Sequence, residues 1–65
     1  MSQADQFLQW IYETKQWTLD QAAKEMGVPE WVLQRIAVEI SVTKQHVAKI
    51  RAAGYMGPIK EKNHK

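Results

Sequence analysis

The segment from Thr43 to Ala53 carries side chains suited to hydrogen-bond the edges of nucleic-acid bases. It contains three basic residues, Lys44, Lys49 and Arg51, and no acidic residue. A lysine can donate to O6 and N7 of guanine, and a glutamine can pair bidentately with adenine. Lys44, Gln45 and Lys49 are therefore candidate base contacts in the major groove of duplex DNA.

Other residues of this segment are suited to the phosphate backbone. Thr43, His46 and Arg51 can donate to phosphate oxygens, and such contacts fix a protein on a duplex without reading sequence. Ala48 and Ala52 are small and would allow close approach to a groove. The alternative interpretation is that the basic residues are only the solvated face of a surface helix.

Charge is distributed unevenly along the 65-residue chain. Residues 1–40 hold three cations and six acids, a net −3, whereas residues 41–65 hold six cations and one acid, a net +5. The second part is therefore the part suited to a polyanion. The net charge of the whole chain is only +2, and this low value keeps a protein-binding role open because committed DNA-binding domains are often more basic.

Composition predicts neither an enzyme nor a metal or cofactor site. The chain has no cysteine, and its two histidines, His46 and His64, have no partner at a ligand spacing. No paired carboxylates, activated nucleophile or glycine-rich loop is present, and so small a chain can scarcely enclose a substrate cavity. The absence of a signal-peptide pattern and of a membrane-length apolar run predicts a cytoplasmic protein without membrane contact.

Apolar periodicity predicts an all-α fold of four short helices. Ser2 is the expected cap of the first helix, Thr18 begins the second with Gln21 at the matching capping position, and Gly27 ends it. The apolar stripe of the first helix comprises Ala4, Phe7, Leu8, Ile11 and Tyr12.

The third helix, about residues 29–40, is the most apolar, and we expect it to be the central support of the bundle. Trp31 and Val38 extend its apolar character around the side. Its predicted inner face comprises Val32, Leu33, Ile36, Ala37 and Ile40.

The fourth helix is expected to run from Thr43, its N-cap, to about Ala53, with Gly54 as its end. Val42, Val47 and Ile50 should point inward. Residues 1–54 then form the domain, and residues 55–65 form a mobile basic tail that adds phosphate contacts.

The tryptophans allow two interpretations. Trp10 and Trp17 lie off the main apolar stripe, so they either close the ends of a small core or form an exposed patch for a second chain or a partner. Tyr55 and Met56 could belong to either arrangement.

Two overlapping patterns have the spacing of a helix-turn-helix, in which a small residue, a tight turn and two apolar residues form a corner. The first pattern, Leu19–Val38, has Ala23, Gly27, Val28, Leu33 and Ile36 at these positions. The second pattern, Leu33–Ala52, has Ala37, Ser41, Val42, Val47 and Ile50, with serine where glycine is usual.

Over Leu19–Gly54 the chain resembles the helix-turn-helix class of DNA-binding domains, in particular sigma factor region 4 and small phage repressors. Residues 36–51 carry most of the resemblance. It implies a small transcriptional regulator that binds duplex DNA through helix 43–53 and works as a homodimer on two half-sites. The rival hypothesis is a protein-binding regulator that docks its tryptophan-rich acidic half on a transcription factor, repressor or polymerase.

Overall fold

A computed structural model describes residues 2–62, which form four helices and no β-strand. The α-helices are α1 (Gln3–Gln9), α2 (Leu19–Met26), α3 (Glu30–Ala37) and α4 (Lys44–Ala52), and one π-helical turn, Trp10–Thr14, continues α1. The all-α fold class is therefore confirmed. None of the described helices has the length and apolar character needed to cross a bilayer.

The predicted caps of the first two helices are present. The Ser2 hydroxyl accepts a hydrogen bond from the Asp5 amide at 3.1 Å, and the Thr18 hydroxyl accepts one from the Gln21 amide at 3.2 Å. Each bond satisfies one of the amides that the first turn of a helix leaves without a partner. Thr43 precedes α4 as expected, but its side chain makes no capping bond.

Each helical segment is followed within two residues by a residue with positive φ. These residues are Gln16, Gly27, Glu39 and Gly54, with φ of 58°, 72°, 61° and 115°. After Gly27 and Glu39 the next amide bonds back to a carbonyl five residues earlier, at 3.1 Å for Val28 and 2.8 Å for Ile40. This backbone arrangement ends a helix and redirects the chain.

The third helix is shorter than its apolar pattern predicts. Because Glu39 adopts the left-handed conformation, α3 ends at Ala37 and the chain turns away before Ile40. Leu33 and Ile36 are buried as predicted, but Ile40 is 45% exposed, so its assignment to the core is wrong. Trp31, on α3, is 51% exposed, so this helix is buried on one side only, and Val38, which follows it, is 65% exposed.

The two helix-turn-helix patterns fit the fold differently. In the first, α2 and α3 pack together and are joined by the three residues Gly27 to Pro29. In the second, α3 and α4 are separated by the six residues Val38 to Thr43. The tight turn predicted at Ser41 is therefore wrong, because the chain has already left the helix at Val38.

The domain continues past Gly54. Tyr55 is 2% exposed and its ring packs edge-on against Phe7, with a centroid distance of 5.0 Å. The predicted boundary at residue 54 is therefore wrong for residues 55–62, and residues 63–65 of the predicted tail lie outside the described part. The core cluster comprises Phe7, Ile11, Ala22, Ala23, Met26, Val28, Val32, Leu33, Ile36, Val42, Val47, Ile50 and Tyr55.

Trp10 and Trp17 close one end of this core. They form an edge-to-face pair with centroids 6.0 Å apart, and both are half-buried against the core cluster. The interpretation as end caps of the core is confirmed for these two residues. Tyr12, in contrast, is 48% exposed, since the π-helical turn shifts it off the stripe that the regular spacing predicts.

Candidate nucleic-acid interface

α4 presents one polar face to solvent and one apolar face to the core. Val47 and Ile50 are buried, as their spacing predicts. The residues that α4 exposes are Lys44, Gln45, Ala48, Lys49 and Ala52. This set, called the α4 face below, includes all three predicted base contacts and has no acidic member.

The C-terminal segment, residues 55–62, returns to the start of α4. The Val42 amide donates to the Lys60 carbonyl at 3.0 Å, and the Lys62 amide donates to the Val42 carbonyl at 2.7 Å. Val42 immediately precedes the N-cap of α4, so these bonds hold two further lysines near the first turn of that helix. The backbones of Lys60 and Lys62 therefore lie close to the start of α4, with Glu61 as the one acid between them.

Lys49 is exposed but already has a hydrogen bond. Its Nζ donates to the Gly27 carbonyl at 3.1 Å, at the C-terminal end of α2. The last carbonyls of a helix carry partial negative charge and attract a cation. Because this contact is solvent-exposed, the ammonium can exchange it for another acceptor at small cost.

Arg51 is occupied inside the domain rather than displayed on the α4 face. It is half-buried, and its guanidinium donates to the Tyr55 carbonyl at 3.0 Å and to the Gly57 carbonyl. These bonds hold the C-terminal segment as it leaves α4. Burial raises the pKa of the Tyr55 phenol above its ordinary value of 10.0, and the charge of Arg51 acts in the opposite direction.

Thr43 and His46, the other predicted phosphate contacts, are paired with each other. The Thr43 hydroxyl lies 3.1 Å from His46 Nδ1, and both residues are half-buried. The His46 ring also packs edge-on against Trp31, with centroids 5.6 Å apart and an interplanar angle of 90°. The imidazole is thus held between α3 and the start of α4.

A cleft opens beside this histidine, where three parts of the chain meet. Arg35 lies on one wall, and its Nε donates to the Ser41 carbonyl at 3.4 Å. The lining residues are Trp31, Arg35, Ser41, Val42, Thr43, His46 and Lys62. They are called the α3–α4 cleft below.

Sequence reasoning missed Trp31, Arg35 and Lys62 as members of one site. The patterns put Trp31 and Arg35 on one face of the third helix but assigned that helix to support, and they assigned residue 62 to a mobile tail, so nothing in the sequence placed Lys62 beside them. The cleft exists because α3 ends early and because the C-terminal segment pairs with Val42.

Comparison of the chain with protein-family models, with curated proteins and with solved structures found no match. The fold and the geometry of these surfaces therefore carry the functional proposal.

Proposed function

We propose that this protein is a small transcriptional regulator of the helix-turn-helix class that binds duplex DNA through the α4 face. One observation carries the proposal: α4 exposes lysines and a glutamine without an acid, and Lys60 and Lys62 are held beside its first turn. Phosphate neutralisation by such cations supplies most of the affinity of DNA-binding proteins. An exposed α-helix has the width to enter the major groove.

The division of roles on this surface follows from the contacts. Lys44 and Gln45 can reach base edges directly, and Lys49 can do so by exchanging its exposed bond to the Gly27 carbonyl. Both ammonium groups also neutralise the phosphates that flank the groove. The small side chain of Ala48 lets the helix approach the groove closely. Arg51 supports the surface from inside, because its bonds to the Tyr55 and Gly57 carbonyls hold the C-terminal segment in place.

The exposed side of α3 is a weaker reader of DNA than the α4 face. It presents one acid, Glu30, and a half-buried arginine, Arg35, so it brings no net charge to a duplex. Its exposed Val38 is apolar surface that a wet, anionic groove would not match. Electrostatics therefore favour α4 although α2 and α3 form the tighter corner.

A matched pair of glutamines tests which helix reads sequence. Gln45 is exposed on α4 and Gln34 is exposed on α3. After selection of a preferred duplex from a random pool, we expect Gln45→Ala to weaken binding by about 1–3 kcal/mol and to relax one base position. Gln34→Ala should leave affinity and preference unchanged, and the reverse result would transfer the reading role to α3.

A homodimer is the working form that we propose, because one helix on one half-site gives limited affinity. The observation that favours it is the exposed apolar side chains of Val38 and Ile40, which follow the end of α3. The same surface would serve the rival function, docking on a transcription-related protein.

Light scattering after size exclusion distinguishes these uses. We expect wild type to have the mass of two chains and Val38→Glu to have the mass of one. The exposed Gln21 of α2 supplies the control, since Gln21→Glu adds a negative charge elsewhere and should remain dimeric. A monomeric wild type would rule out self-association through this surface.

A further inference from the structure

We propose that the α3–α4 cleft is a phosphate-binding site that holds one phosphodiester group of the DNA backbone. The inference rests on the proposed function, because its ligand belongs to the duplex that the α4 face contacts. It adds Arg35 and Trp31, which the sequence patterns assign to the supporting helix, and it gives Lys62 of the predicted basic tail a defined position.

The chemistry of the cleft matches an anion with several oxygen atoms. Arg35 and Lys62 bring two positive charges, and none of the residues that the structure places along its walls is acidic. Ser41 adds a hydroxyl group, whereas the Thr43 hydroxyl is paired with His46 Nδ1 at 3.1 Å. Hydrogen bonds from guanidinium and ammonium groups to phosphate are short and about twice as strong as those between neutral groups.

The cationic residues are anchored where they are needed. The Arg35 Nε bond to the Ser41 carbonyl leaves the other guanidinium nitrogens as donors, and the Arg35 guanidinium carbon lies 5.9 Å from the Trp31 ring centroid. The backbone of Lys62 is fixed by the bond from its amide to the Val42 carbonyl. These contacts lower the entropy cost of ordering the Arg35 side chain around a ligand, whereas Lys62 is fixed at its backbone only.

His46 can contribute a further donor. In the tautomer in which the Thr43 hydroxyl donates to Nδ1, the imidazole proton is on Nε2 and is available to a ligand. The edge-on contact with Trp31 holds the ring in this orientation.

The size and the position of the cleft indicate that its ligand is a chemical group on a larger molecule. Its volume is about 80 Å³, well below the roughly 300–1,000 Å³ of pockets that enclose a free small molecule. A phosphate group fits such a space and a whole nucleotide does not. Lys44 and Gln45 follow Thr43 directly, so a phosphate in the cleft would border the groove entered by α4.

Salt-dependent binding tests the site. Fluorescence anisotropy on a labelled duplex, repeated over a range of salt concentrations, gives the number of phosphates neutralised. We expect Lys62→Gln to lower the magnitude of the log–log slope by about one and to weaken all sequences alike. Lys24→Gln is the matched control, since this exposed lysine of α2 pairs with Asp20 and should leave the slope unchanged.

An NMR titration locates the contact between the duplex and the cleft. In proton–nitrogen correlation spectra, the indole N–H of Trp31 should shift as duplex is added, whereas that of Trp10, which packs against Trp17 and Tyr55 and does not line the cleft, should not. The Trp31 shift should shrink in Lys62→Gln. Inorganic phosphate alone, at the same phosphate concentration, should produce little shift, and saturation by it would overturn the assignment to duplex.

The two proposals fail in different ways. If wild type binds no duplex at low salt, both the proposed function and the proposed cleft site are refuted. If wild type binds and Lys44→Gln weakens it, but Lys62→Gln keeps the wild-type slope and the Trp31 shift, only the cleft site is overturned.

Discussion

Cutting the chain after Gly54 tests whether the C-terminal segment is part of the fold. The cut removes Tyr55, which is 2% exposed and packs on Phe7 and Trp10 with centroid distances of 5.0 and 5.3 Å. Loss of a buried aromatic side chain costs about 3–5 kcal/mol. A chain of this length has a total stability of about 3–10 kcal/mol, so we expect residues 1–54 to be largely unfolded.

The measurement is a urea titration followed by far-ultraviolet circular dichroism. A chain cut after Lys62 is the control, because it retains every described contact and should melt like the full chain. Tyr55→Phe should lose less than about 1 kcal/mol, because the phenol hydroxyl lies 3.5 Å from the Pro58 carbonyl, the outer limit of a hydrogen bond. A cooperative transition of residues 1–54 at the full-length midpoint would refute this reasoning.

Three further predictions concern stability. Burial raises the pKa of the Tyr55 phenol above 10.0. The contribution of the neutral phenol to the free energy of unfolding should therefore be complete below about pH 10 and fall as pH rises toward the pKa of the folded state. Paired urea titrations of wild type and Tyr55→Phe should show this extra loss of stability only in wild type. Glu39→Gly should stabilise the protein by about 0.5–1 kcal/mol, since Glu39 has a φ of 61° and glycine removes the steric cost of that conformation; an equal loss instead would mean that the Glu39 side chain supports the turn. Ile36→Ala should cost about 2–5 kcal/mol because Ile36 is 5% exposed, whereas Ile40→Ala, at an exposed position, should change the melting temperature little.

The sequence predicts the helix starts and ends that depend on residues close together in the chain. Ser2 and Thr18 cap helices through bonds to residues three positions away, and Gly27 and Gly54 end helices because glycine adopts positive φ without strain. Glu39 also has a positive φ just after α3, but a glutamate does not predict that conformation from sequence. The apolar spacing that continues to Ile40 therefore overestimates that helix.

The parts that could not be predicted depend on long-range contacts. Tyr55 belongs to the core because Phe7 and Trp10, far away in sequence, provide its partners. The cleft likewise combines α3, the start of α4 and residue 62. Of the candidate contacts, the exposed lysines and Gln45 follow from helical spacing, whereas the internal role of Arg51 follows from the path of the chain beyond Gly54.

The central claim is that the α4 face neutralises DNA phosphates and reads base edges. The most direct measurement is the salt dependence of duplex binding by wild type and by the double variant Lys44→Gln/Lys49→Gln, with Lys24→Gln as the control. We predict tight binding at low salt, a steep negative log–log slope in wild type, and a slope about two units shallower in the double variant. No binding by wild type, or equal slopes for all three proteins, would contradict the claim.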